Sequence, residues 1–218
     1  MDVNVLRAKF ARGVAEWFDM EFMPMDKLVH GVAFVPLHMY AKGDPTLVGN
    51  HCVVLGKERD GGYTGKLNFV GGRIEDNNMK YSGEDVAKVL FDEVYEELHI
   101  VLFPNLFGDM LVKVLTVPFG DGVSLVFVVH LVGISRGIWD KEHIARKQCN
   151  APWKFVEFDC IEHVPLNGLM KRKDVSKYVR NLIAEIVPLA AMLKSKNAVH
   201  RKEFMFAEVR NGGRVTVK

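Results

Sequence analysis

Apolar residues recur along this chain with two different periods, and the places where one period gives way to the other predict most of its elements. Up to about Phe22, the positions Leu6, Phe10, Val14 and Trp17 or Phe18 share one side of a helix, predicting an amphipathic helix packed on its own domain. Met20, Met23, Pro24 and Met25 break that period and read as an irregular connection. Gly31 to Tyr40 and His51 to Leu55 are strand-like, separated by the turn-rich Lys42-Gly43-Asp44-Pro45. Lys57 to Gly62 supplies another turn before a short strand at Leu67 to Val70. The helical period returns at Val86, Leu90, Val94 and Leu98. Leu111 to Val117 and Val123 to Val132 predict a strand pair around the turn Pro118 to Gly122, the second strand apolar enough to be buried on both faces. Ser135 to Asn150 is polar and mixed in charge, and reads as a rim. Trp153 to Phe158 predicts a further strand. Val175, Tyr178, Val179, Leu182, Ile183 and Ile186 predict a helix ending at Pro188. Beyond Lys194 the chain is basic, then strand-like, with a turn at Asn211-Gly212-Gly213. There is no internal repeat and no interdomain linker.

One stretch carries chemistry. Gly71-Gly72-Arg73-Ile74-Glu75 is followed by Gly83-Glu84 and then by Asp92-Glu93-Val94-Tyr95-Glu96-Glu97-Leu98. Residues three and four apart share a helix face, so Glu93, Glu96 and Glu97 converge and repel one another unless a cation sits among them. Hard oxygen donors of this kind suit Mg²⁺ or Mn²⁺, which also bind phosphates. A solvated acidic face is the other meaning of such a run. Ser82 is placed to cap this helix, with Glu84 and Asp85 in its first turn.

The spacing of the whole stretch resembles the signature of the Nudix hydrolases, a glycine and a glutamate followed, after seven residues, by Arg-Glu-aliphatic-x-Glu-Glu-x-Gly-aliphatic. Here Asp85 to Phe91 are the seven residues, and Val94 and Ile100 stand at the aliphatic positions. The resemblance implies a Nudix α/β/α sandwich with a mixed β-sheet, here spanning residues 26–193, preceded by an N-terminal helical extension (1–25) and followed by a basic C-terminal extension (194–218) packed on the same domain. It implies hydrolysis of a nucleoside diphosphate linked to another moiety, most simply a nucleoside triphosphate or other small nucleotide. It assigns metal binding to Glu93, Glu96, Glu97 and the Gly72 carbonyl, and a supporting catalytic role to Glu84. The general base stays open, with Glu142 and Glu157 as candidates that are otherwise ordinary surface acids.

Three departures from the family pattern stand out. Asp76 to Ser82 lengthen the loop after the glycines, and His99 replaces a glycine. Asp92 stands where the family has an arginine that braces its glutamates. Lys88, four residues from both Glu84 and Asp92, predicts a compensating Glu84-Lys88-Asp92 ladder on one face. On this reading Asp92→Arg preserves or raises activity.

Substrate contacts are expected outside the glutamates. Gly65-Lys66-Leu67-Asn68-Phe69-Val70 resembles the Gly-basic-Trp-Asn run of the mammalian enzyme that destroys oxidised purine nucleoside triphosphates, which makes Asn68 a base contact or, equally, a residue that satisfies a turn. Trp153 is a stacking candidate or a core residue. Arg59, Lys66 and Arg73 are phosphate-binding candidates or surface cations. Composition changes this picture little. In 218 residues the net charge is +2, too small to argue for nucleic acid or membrane. Cys52, Cys149 and Cys160 have no metal or disulfide spacing and read as reduced thiols. No apolar run is long enough to span a bilayer, and a soluble, cytoplasmic chain is expected. Capped RNA is an alternative substrate, served by Lys171-Arg172-Lys173, Lys194, Lys196, Arg201 and Lys202; a homodimer and a Nudix-fold binding module that has lost efficient catalysis stay open.

Overall fold

The computed structural model describes residues 2–24, 27–39, 51–74, 81–98, 100–131, 158–193, 207–210 and 214–217. The chain falls into two compact units: Met1–Phe34, Val70–Phe127 and Met205–Lys218 form the first, Val35–Phe69 and Val128–Phe204 the second. The fold is mixed α/β. The amide of Val123 donates to the Leu28 carbonyl and that of Leu131 to the Leu37 carbonyl. The two strands tied at their ends by these bonds, β1 (Val29–Met39) and β5 (Gly122–His130), therefore run parallel, whereas β2 (His51–Glu58) pairs antiparallel with β1, with β3 (Leu67–Asn68) and with β6 (Phe158–Pro165). The sheet is mixed, as predicted.

The first unit begins with α1 (Val3–Glu21), capped by Asp2, whose carboxylate accepts the Asn4 amide at 2.8 Å. Leu6, Phe10, Ala11, Val14 and Phe18 are its buried face, so Phe18 rather than Trp17 enters the core. Each such burial is worth about 1.5–3 kcal/mol for the larger side chains. α2 (Gly83–Leu98) starts in a reciprocal cap: Ser82 Oγ accepts the Asp85 amide at 3.2 Å, and the Asp85 carboxylate accepts the Ser82 amide at 3.2 Å. The predicted stripe Val86, Leu90, Val94 and Leu98 is buried, and Ala87, Phe91 and Tyr95 widen it. α1 and α2 approach closely at Gly83, where a Cβ would lie 2.6 Å from the Ala15 carbonyl oxygen. α3 (Pro104–Met110) is not evident from periodicity because it is barely two turns long; Pro104 in its first turn is its one sequence signal. β4 (Leu111–Phe119) joins β5 through Gly120, whose φ of 62° suits the tight turn. Phe10, Phe18, Phe22, Phe91, Phe107 and Phe127 pack as one aromatic cluster. β7 (Ala207–Arg210) and β8 (Arg214–Val217) form an antiparallel pair.

In the second unit β2 (His51–Glu58) is the organising strand. It pairs with the end of β1 (Leu37↔Val53), with the two-residue β3 (Leu67–Asn68; Gly56↔Asn68) and with β6 (Phe158–Pro165; Val54↔His163). Phe158 packs against Gly56, where any Cβ would strike its ring. α4 (Leu166–Leu169) and α5 (Lys177–Leu193) complete the unit.

The predicted strand Trp153 to Phe158 lies, up to Glu157, outside the described residues; β6 (Phe158–Pro165) is not evident in the sequence because Asp159, Glu162 and His163 interrupt its apolar period. Two expectations need correction. β3 is confined to Leu67–Asn68, and Val70 makes only an isolated bridge, to Phe34. α5 does not stop at Pro188 but continues to Leu193. A helix-interior proline costs about 3 kcal/mol, and the burial of Leu189 and Ala190 beyond it keeps the helix going. Met25, Lys42 to Pro45, Glu75 to Lys80, His99, the 135–150 rim, Cys149, Trp153, Glu142, Glu157, Lys194, Lys196, Arg201, Lys202 and the Asn211 to Gly213 turn lie outside the described residues.

Candidate active site

The site is built on a loop that first behaves as a strand. Phe34 donates its amide to the Val70 carbonyl at 2.8 Å, Val32 to the Gly72 carbonyl at 3.0 Å, and Ile74 to the His30 carbonyl at 2.9 Å. Between those bonds Gly71 adopts a φ of 146°, and a Cβ there would lie 2.2 Å from the Val32 carbonyl oxygen. Only glycine fits. Its amide, turned out of the ladder, is taken by Glu97 Oε2 at 2.9 Å.

Glu97 is 4% exposed. A carboxylate buried to that degree requires hydrogen bonds, and the Gly71 amide is one. One helical turn earlier, Glu93 lies against the next residue of the same loop: a Cβ on Gly72 would be 1.9 Å from Glu93 Oε1. The two glycines thus receive the two carboxylates. Glu96 is exposed, and its charge, added to burial, pushes the Tyr95 hydroxyl up to about 12, burial being the larger cause. All three glutamates sit in the last two turns of α2, whose final turn carries no basic residue. That is the end of a helix where negative charge is least favoured, so a cation would relieve two repulsions together.

Among the described residues, no group of three or more His, Cys, Asp or Glu is arranged to hold a metal ion. What the structure places at the turn is smaller: Glu97 on the Gly71 amide and Glu93 against Gly72, whose carbonyl faces β1. That carbonyl accepts the Val32 amide and retains a second lone pair. These are hard oxygen donors, and in chemical type they fit Mg²⁺ or Mn²⁺. Glu84 is not brought to this turn. It lies nine residues before Glu93 in α2, about 13 Å along the axis, and pairs with Lys88 at 2.9 Å.

Asp92 has a different setting from the one its sequence neighbours suggest. Lys88 pairs with Glu84 and, at 3.7 Å, with Asp85. Asp92 instead meets Arg7 of α1, Oδ2 to Nη2 at 2.5 Å. Burial raises its carboxyl above the usual range, and Arg7 partly offsets that rise. The predicted three-residue ladder is therefore replaced by a contact between helices, and Asp92→Arg would set two guanidinium groups against each other. No local pattern reveals Arg7, because its partner lies far along the chain.

The predicted substrate residues divide between the units. Arg73, in the first, is exposed, its guanidinium carbon 5.7 Å from the centre of the Phe119 ring. Asn68, Arg59 and Lys66 belong to the second. Asn68 donates to Glu58 Oε1 at 2.7 Å and accepts the Ser176 hydroxyl at 2.9 Å. The same hydroxyl accepts the Val179 amide at the start of α5, so Asn68 ties β3 to Glu58 of β2 and to the start of that helix. Arg59 pairs with Asp159 at 3.0 Å, and Lys66 Nζ donates to the Lys173 carbonyl at 3.1 Å. Beside them Arg172 holds Glu162 at 2.9 Å and both Asp174 oxygens. Arg172 lowers the Asp174 carboxyl, and Asp174, with Glu162, raises Arg172.

No family model matches the chain, and no curated protein does. Solved structures do show likenesses. The Nudix domain of Shewanella oneidensis NrtR complexed with ADP ribose is 8% identical, with 82% of this chain and 97% of that one covered and a TM-score of 0.42. A MutT protein from Methanosarcina mazei Go1 is 12% identical over 80% of this chain and all of its own, with a TM-score of 0.40. A bifunctional NMN adenylyltransferase/ADP ribose pyrophosphatase from Francisella tularensis, complexed with AMP and a manganese ion, is 14% identical over 86% of this chain and 47% of its own, with a TM-score of 0.44. At these values the likenesses carry no argument about activity, which rests on the residues of the site.

Proposed function

We propose that the chain is a Nudix-type pyrophosphohydrolase that requires Mg²⁺ or Mn²⁺ and cleaves a nucleoside diphosphate linked to another moiety, a nucleoside triphosphate or other small nucleotide being the simplest substrate. The observation that carries this reading is the delivery of two carboxylates from one face of α2, Glu97 and Glu93, to the consecutive glycines Gly71 and Gly72. Glu93, Glu97 and the Gly72 carbonyl would hold the cation, with Glu96 completing the charge. When bound, such a cation neutralises pyrophosphate charge and lowers the pKa of a bound water. The chain's own residues prepare the place. The Gly71 amide fixes one Glu97 oxygen; the close fit at Gly72 fixes Glu93; Arg73, exposed on the same loop, would pair with a phosphate oxygen.

A second reading is a nucleotide-binding module with weak catalysis. It is favoured by the exposure of Glu96 and by the commitment of one Glu97 oxygen to a backbone amide. One experiment separates the two. The protein is incubated with Mg²⁺ or Mn²⁺ and nucleoside triphosphates, oxidised nucleotides, dinucleoside polyphosphates, nucleotide sugars and capped RNA, with Glu97→Gln alongside and products weighed by mass spectrometry. Cleavage of a pyrophosphate bond by the parent and its loss in Glu97→Gln is the expected result. Nucleotide binding without cleavage would establish the module, and parent-like cleavage by Glu97→Gln would remove the metal-site assignment.

A further inference from the structure

α1 meets α2 at two polar points and, between them, an apolar one. At the start of α2, Asp19 Oδ1 accepts the Gly83 amide at 2.6 Å, which fixes α2 along its axis. In the middle, the rings of Phe10 and Phe91 lie 5.9 Å apart. Towards the end of α2, Arg7 pairs with Asp92, the residue immediately before Glu93. Apolar contact is non-directional and tolerates a small rotation of one helix against another. An ion pair far from the Gly83 contact does not. Both side chains are about a third exposed, 38% for Arg7 and 34% for Asp92, so water partly screens the pair.

We propose that Arg7 is a positioning residue for the carboxylate face. Through Asp92 it sets the rotation of α2 about its own axis, and with it the contacts of Glu97 with Gly71 and of Glu93 with Gly72. This rests on the reading of that face as the metal and phosphate site. The geometry is demanding. A carboxylate about 6 Å from a helix axis swings by roughly 1.5 Å when the helix turns by about 15°, enough to break the 2.9 Å bond to the Gly71 amide. Misplacement on the scale of 1 Å can cost about a hundredfold in rate.

The test compares Arg7→Ala, Arg7→Lys and the exchanged double variant Arg7→Asp/Asp92→Arg with Val14→Ala, which loosens the same helix without touching the pair. Three quantities are read: hydrogen exchange of the Gly71 amide relative to its neighbours, the Mn²⁺ dissociation constant, and kcat and KM. For Arg7→Ala we expect about tenfold faster Gly71 exchange, weaker Mn²⁺ binding, and a kcat about tenfold lower with KM nearly unchanged. Arg7→Lys should retain part of the effect, and the exchanged pair should recover most of it. Val14→Ala should lower the melting temperature and leave Gly71 exchange in step with its neighbours. Unchanged Gly71 exchange in Arg7→Ala, or the same pattern in Val14→Ala, overturns the proposal. Should Arg7→Ala fail to fold, Arg7→Lys and the exchanged pair decide. If the parent neither binds Mn²⁺ nor cleaves any substrate, it is the functional reading that fails, and Gly71 exchange still decides the role of Arg7.

Discussion

Two polar clusters in this protein are made of similar residues and do different things. Around Asn68 and Arg172, in the second unit, charges are balanced within the cluster. Arg172 is matched by Glu162 and Asp174, Arg59 by Asp159, and Asn68 spans Glu58 and Ser176. Around Gly71 and Gly72, in the first unit, three glutamates crowd the last two turns of a helix, and its final turn has no basic residue. A cluster that satisfies itself is a frame. The second cluster, three glutamates at a helix C-terminus with Glu97 on the Gly71 amide, is the arrangement on which the proposed cation site rests.

The comparison can be broken most decisively at Glu97. Glu97→Gln keeps the shape and an acceptor for the Gly71 amide while removing charge, so Mn²⁺- or Mg²⁺-dependent turnover should fall by about a hundredfold or more with little change in melting temperature. Equal losses of turnover and stability would place Glu97 with the frame. Gly72→Ala sharpens the same point. Its Cβ would displace the Glu93 carboxylate, the movable end of a flexible side chain, so turnover should drop about tenfold or more while thermal unfolding shifts little. A large fall in melting temperature would show instead that the loop backbone cannot yield.

On the other side of the comparison, Arg172→Ala should behave as a frame variant. Losing its partly exposed ion pairs should cost on the order of 1 kcal/mol, or a melting shift of about 2–4 °C, with kcat and KM unaltered. A selective loss of turnover would move this cluster into the active site. A last effect is one of pH. Burial, with the charge of His51 second, lowers His130 to about 4 from 6.5. The unfolded chain then binds the proton more readily than the folded one between those values, so His130 stabilises the fold above 6.5 and that contribution is lost as pH falls towards 4. Melting curves across this range should be flatter for His130→Asn than for the parent.

The helical period of α2 and its glutamates were legible in sequence because their meaning is local: four apolar positions define the buried stripe, and a spacing of three and four defines the acidic face. The strong strands β1, β2, β4 and β5 were legible for the same reason. β6 was not, since its half-exposed polar positions erase the alternation, and α5 outran Pro188 because apolar packing beyond the proline outweighs its local cost. At the site, Glu97 bonds the Gly71 amide and Glu93 lies against Gly72, contacts the spacing alone does not give, whereas Glu84 pairs with Lys88.

By itself the sequence determined which face of α2 is acidic and that two glycines precede it, because helix periodicity and glycine's conformational freedom are properties of the local chain. Only the tertiary structure decided that Gly71 turns its amide to Glu97, that Asn68 is spent between Glu58 and Ser176, and that Asp92 answers to Arg7. Each of those depends on a partner brought from a distant part of the chain, and hydrogen bonds and ion pairs are decided by distance in space.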